Sequence, residues 1–154
     1  MIPNVDDRLA SVIRALTEVI LPHLPPEASL AQEQVQLAVG HLQILRAQLD
    51  ALPGYEREEL ADGRTLGEAL SMCRGGAQTS AATSAVVAAA EAQGNDGRVL
   101  LNAINTAIEA LVRAVAADGD GAAKAQLSAT ILKHERARAQ KDRQWYAPFG
   151  FDTL

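Results

Sequence analysis

Asp96-Gly-Arg-Val-Leu-Leu-Asn-Ala-Ile-Asn-Thr-Ala-Ile-Glu-Ala-Leu-Val-Arg-Ala-Val115 decides the fold class. Its large apolar residues, Leu100, Ile104, Ile108, Leu111 and Val115, recur three or four positions apart, with Ala107 among them. That spacing lays one apolar stripe along one face of a helix. Gly94-Asn-Asp-Gly97 is a turn before it, and Asp96 supplies an N-cap oxygen. Asp118-Gly-Asp-Gly121 turns the chain again after it.

The same period recurs outward from this segment. Leu9, Val12, Ile13, Leu16, Val19 and Ile20 form a stripe behind a cap at Asp6 or Asp7, and Pro22 stops it because proline cannot donate the helical hydrogen bond. Leu21-Pro-His-Leu-Pro-Pro26 reads as a stiff, extended connection. Ser29 with Gln32 or Glu33 resembles a capped start. Val35, Ala38, Leu42, Leu45, Leu49 and Leu52 then follow at heptad-like gaps, up to a break at Pro53-Gly54. Leu60, Leu66, Leu70 and Cys73 carry a looser stripe, in which Gly63 and Gly67 either permit a close crossing or leave the helix marginal. Gly75-Gly76 separates it from an Ala-rich helix over Thr79 to Ala92. A last helix runs from about Ala122 to about Trp145.

No segment alternates apolar and polar residues as a strand does. The expected architecture is all-α: an up-and-down bundle of about four main helices plus a leading or split helix, with an extended aromatic C-terminal tail. One domain is expected over residues 1–154, with 144–154 as the strap. With 154 residues, 48% of them apolar, the chain can bury a proper core, and with aromatics at 3% that core must be aliphatic.

The net charge of −5 argues against nucleic acid and against an electrostatic membrane anchor. No uninterrupted apolar stretch approaches the ~20 residues that cross a bilayer, and the N-terminus lacks the pattern of a secretory signal. The single cysteine, Cys73, fits a reducing compartment. The cytoplasm is therefore expected.

The motifs that carry chemistry are not met. Two-metal bundle sites need Glu-x-x-His pairs, but Ile20, Ala38 and Ile131 stand three residues before His23, His41 and His134. His134-Glu135 begins a zinc-protease signature that fails at Arg138. Asp118-Gly-Asp-Gly121 fails as a calcium loop at Ala122 and Ala129. No phosphate-binding loop or nucleophile elbow occurs. No catalytic residue, metal or cofactor is expected.

Three groups of residues carry the functional expectations. Trp145, Tyr146, Phe149 and Phe151 are four of the five aromatic residues. They either plug the chain's own bundle, form a homodimer contact or bind another partner. His134, Arg138, Lys141 and Trp145 share one face of the last helix, flanked by Arg136 and Arg143. The cations there either oppose the helix dipole or form an anion site. The acidic stretch Glu56–Asp62 could meet that face within the chain or across a dimer. Third, His41, Tyr55 and Cys73 could line a pocket between helices. A boundary role for His41 and a buried, inert role for Cys73 are the plainer alternatives.

Asp6-Asp-Arg-Leu-Ala-Ser-Val-Ile-Arg-Ala-Leu16, the Leu21–Pro26 hinge and Trp145-Tyr-Ala-Pro-Phe-Gly-Phe151 together resemble a small, uncharacterised bacterial family of helical proteins. Its members are encoded near acyl-CoA dehydrogenase-like and aminoglycoside-phosphotransferase-like enzymes. The resemblance implies an accessory role in acyl-thioester metabolism and assigns no catalytic residue. The expected function is that of a non-catalytic interaction protein, homodimeric, with an enzyme partner. The alternative is a binder of a small or phosphate-containing molecule, or an enzyme, with its pocket between helices.

Overall fold

The computed structural model describes residues 3–147, and among them every regular element is helical. Six α-helices follow in chain order: α1 (Val5–Arg14), α2 (Ser29–Gln48), α3 (Leu52–Leu70), α4 (Ala77–Glu91), α5 (Gly97–Asp118) and α6 (Gly121–Tyr146). Contacts divide the chain into two compact units, Met1–Pro53 and Gly54–Leu154.

In the first unit α1 starts two or three residues earlier than the Asp6 or Asp7 cap expected from sequence. Asn4 is the cap: its Oδ1 accepts from the Asp7 amide at 2.7 Å, and Asp7 reaches back to the Asn4 amide at 3.4 Å. The helix then widens into a π-helical stretch, Ala15–Ile20, and tightens into a 3₁₀ turn, Leu21–His23. Pro22 lacks an amide hydrogen, and its ring crowds the carbonyl four residues back, so the α-helical ladder cannot continue through it. His23 Nδ1 lies 2.6 Å from the Val19 carbonyl oxygen, and the Thr17 hydroxyl donates to that of Ile13 at 2.5 Å. No side-chain cap starts α2; Gln32 instead donates back to the Pro25 carbonyl at 3.0 Å. The two-pronged Arg46–Asp6 pair, 2.6 and 2.9 Å, ties the end of α2 to the start of α1 and fixes the pair antiparallel.

The break expected at Pro53-Gly54 falls earlier, at Leu49–Ala51. Leu52 opens α3, and Pro53 sits in its first turn, where a missing amide hydrogen costs nothing.

The second unit holds α3 to α6 around one aliphatic core. Leu66, Leu70, Val86, Ile104, Leu111 and Val115 are its centre, and Cys73, Ala123 and Leu127 extend it. Taken alone, α5 is long and apolar enough to cross a membrane, although polar residues interrupt its apolar stretches. Its stripe, however, is the core of this unit: Leu100, Ile104, Ile108, Leu111, Ala114 and Val115 are all buried. Gly63 and Gly67 prove to be crossing points. A Cβ on Gly63 would come within 2.7 Å of Leu101 Cδ1, and one on Gly67 within 2.9 Å of Ala90 Cβ.

Asp118 does more than turn the chain. Its carboxylate accepts from the Gln78 amide (2.7 Å), the Thr79 amide (3.1 Å) and the Thr79 hydroxyl (2.5 Å). The last residue of α5 thereby caps the start of α4, where Gly76 offers no side chain. These hydrogen bonds, from the Thr79 hydroxyl first, hold the Asp118 carboxyl below its usual range.

Two outcomes follow. Gly67→Leu should destabilise the chain by about 1–3 kcal/mol in urea unfolding, since Ala90 cannot move aside as a long side chain could. Asp118→Asn should be less stable than the parent near neutral pH. A carboxyl with a lowered folded-state pKa stabilises above the usual value of about 4 and loses that contribution as pH falls through the folded value. The gap in melting temperature between the two proteins should therefore close in acid.

Candidate functional site

The C-terminal half of α6 lies against the N-terminal half of α3. Tyr55, Glu59 and Asp62 recur on α3 at gaps of four and three, which sets them on one face. His134, Arg138, Lys141 and Trp145 do the same on α6. The acidic stretch thus meets the basic face within one chain. Lys141 Nζ contacts Glu59 and lies 2.6 Å from Asp62 Oδ2. Arg138 Nε lies 3.5 Å from the second oxygen of Glu59. Glu59 is nearly buried, and both of its carboxylate oxygens face a cation. Burial opposes the charge on Lys141, but the hydrogen bonds to Asp62 and Glu59 outweigh it and raise the ammonium's pKa.

One turn further along, Tyr55 and Trp145 pack ring to ring with centroids 4.6 Å apart and planes tilted by 33°. The Tyr55 hydroxyl donates to Asp142 Oδ1 at 2.6 Å, and Lys141 Nζ stands 5.3 Å from the centre of the Tyr55 ring. Burial, and then the hydrogen bond to Asp142, push the Tyr55 phenol well above its ordinary range. Trp145 therefore has a partner in its own chain. Phe149 and Phe151 lie outside the described residues, as does the side chain of Tyr146.

Beside this contact is a groove of about 280 Å³ between α3, α5 and α6. Gly63, Leu66, Leu101, Ile108 and Ile131 give it an apolar floor. Asp62, Glu109, His134 and Arg138 stand among its polar lining. His134 Nδ1 lies 3.3 Å from Glu135, while its Nε2 is buried without a hydrogen-bond partner. The groove can take a small molecule with an apolar body, set among these polar side chains. Sequence reasoning assigned His134 to a basic face and did not find this groove, because its floor comes from three helices distant in sequence.

The expected anion-binding residues are placed unevenly. Lys141 and Arg138 are engaged by carboxylates, which in part neutralises the charge they would offer an anion. Arg136 and Arg143 are exposed. The expected pocket residues are not gathered together. His41 is exposed on α2 in the first unit. Tyr55 and Cys73 lie near opposite ends of α3, roughly 25 Å apart along its axis at 1.5 Å per residue. Cys73 is buried in the core just past the end of α3, and burial pushes its thiol pKa up, which keeps it protonated and unreactive. Among the described residues no three His, Cys, Asp or Glu side chains gather as a metal site would require.

The Tyr55 environment is open to titration. A phenol whose folded-state pKa is raised stabilises below about 10 and loses that contribution as pH rises through the folded value. Phenolate absorbance of the native protein should therefore contain a component that ionises only far into alkali, and Tyr55→Phe should delete it. Persistence of that component in Tyr55→Phe would show that it belongs elsewhere.

No protein-family model, characterised protein or solved structure matches the chain.

Proposed function

We propose that this chain is a non-catalytic helical interaction protein, homodimeric and accessory to an enzyme, and that its N-terminal helical pair is the contact surface. The reading rests on how unevenly burial is distributed. Among the described residues, all twelve buried apolar ones lie between Leu66 and Leu127. None of the described residues of the first unit is buried. That unit nevertheless carries eight of the twelve large apolar side chains left open to solvent among the described residues, from Val5 to Leu52, against four elsewhere.

A helix is stabilised chiefly by burying an apolar face. The α1–α2 pair buries little, and α2 carries apolar residues around much of its circumference. Open apolar surface of this extent marks an interaction site. The accessory role in acyl-thioester metabolism, implied by the family resemblance, is part of the same proposal. So is the bundle arrangement, which association of helical pairs would complete.

Hydrogen exchange at two protein concentrations tests the reading. Amides of α2 should exchange quickly near 1 µM and slowly near 100 µM, or on adding the partner enzyme, since binding protects only the associated state. Amides of α5 should be protected throughout. Strong protection of α2 at the lowest concentration, without any partner, would overturn it.

A second reading, a small-molecule binder, is favoured by the groove beside His134. Asn105→Trp, at an exposed position of the lining, should fill that groove and abolish binding of any ligand that it holds, while Tyr55–Trp145 packing persists.

A further inference from the structure

Leu127, Ile131, His134, Arg138, Lys141 and Trp145 follow at gaps of 4, 3, 4, 3 and 4, one continuous line along α6. The line changes character halfway. Leu127 is buried in the core and Ile131 packs against it. Beyond Ile131 no apolar residue among those described is buried, and Leu132 is 55% exposed. The facing line on α3 changes at the same level. Leu66 and Leu70 belong to the core, whereas Asp62, Glu59 and Tyr55 meet Lys141, Arg138 and Trp145. The groove of about 280 Å³ sits at this changeover. Leu66, Leu101, Ile108 and Ile131 form its apolar side, and Glu59, Asp62, His134 and Arg138 line it from the polar half.

The two halves of α6 are held by different forces. Lifting Leu127 away would uncover apolar surface. Past Ile131 the helix is held to α3 by the ion pairs of Glu59 with Arg138 and Lys141, the pair of Asp62 with Lys141, the hydrogen bond from Tyr55 to Asp142, and the packing of Tyr55 on Trp145. Arg138 and Asp62 are about half exposed, so dissolved ions screen their pairing. A segment with few buried apolar contacts opens more readily than the core it borders.

We infer that the second half of α6, from Leu132 onward, is an arm latched to α3 by charge, and that it releases while the core stays folded and takes one wall off the groove. His134, Glu135 and Arg138 leave with the arm, while Gly63, Leu66, Leu101 and Ile108 stay with the core. The arm thus controls access to the groove of the second reading above. The inference rests on that reading only for what enters, since release itself needs no ligand.

The test uses the full chain and hydrogen exchange read segment by segment, in about 0.01 M and about 1 M sodium chloride. Amides from Arg138 to Trp145 should exchange faster than those from Ala123 to Ile131, and about tenfold faster in the higher salt than in the lower. Amides of α5 should stay slow in both. Glu59→Gln keeps the side chain's shape and removes its charge. It should speed exchange of the arm in low salt and flatten the response to salt, with α5 unchanged. Lys141→Gln should act in the same direction. Iodoacetamide, an uncharged reagent, reads the groove. Leu101→Cys should be alkylated faster in high salt, in step with the arm, while Cys73 stays slow in the core. Arm amides as slow as those of α5, or equally fast in both salts, would overturn the latch. Faster exchange of the arm with unchanged alkylation of Leu101→Cys would overturn its control of the groove. Whether the groove holds a ligand at all is decided separately, by the Asn105→Trp comparison.

Discussion

Burial of one stripe of α5 is the constraint on which the second unit depends. Ile104, Leu111 and Val115 are at most 1% exposed, and α3, α4 and α6 all bring core residues to them. With so few aromatic residues, this unit fills its core by bringing backbones close, and α3 shows how. Glycine at positions 63 and 67 removes the side chains that would hold it away from α4 and α5. An Ala-rich α4 contributes little apolar bulk of its own, and its start is held by the Asp118 carboxylate from the end of α5. Packing and capping thus converge on the same helix.

Electrostatics completes the unit at its edge. The α3–α6 contact sets Glu59 between Lys141 and Arg138, and a nearly buried carboxylate is tolerable only with such partners. The aromatic pair Tyr55–Trp145 packs beside this cluster, with Lys141 near the Tyr55 ring. The end of α6, which sequence alone left free to serve a partner, is held down at Trp145 by contacts within the chain. The first unit is built differently. Its first helix is capped, and α1 and α2 are paired and held in register by Arg46 and Asp6, yet they enclose no core. Local interactions define each helix, while the apolar surface that would stabilise the pair remains open.

Much of the local structure was legible in the sequence. The stripe on α5, the Asp96 cap and the turns at Gly94–Gly97 and Asp118–Gly121 are short-range features, fixed by spacing and by backbone geometry. Where local reading failed, a competing contact decided the outcome. Asn4 displaced Asp6 and Asp7 as the cap of α1, because the box needs both an oxygen at the cap and a carboxylate three residues on. Leu52 left the α2 seam to open α3, since Pro53 suits a first turn. The candidate groove was the least legible part. Leu66, Leu101 and Ile131 come from three helices, and their meeting depends on how those helices cross.

By itself the sequence determined that the chain is helical, where most of its helices begin and end, and that any core must be aliphatic. These follow from periodicity, capping and composition, all of which act over a few residues. Tertiary structure alone decided which apolar faces are buried and which stay open. Apolar residues run around much of α2 in the sequence, but only one face of it is turned toward α1. Periodicity says that a face is apolar; whether another surface covers it depends on the packing of segments far apart in the chain.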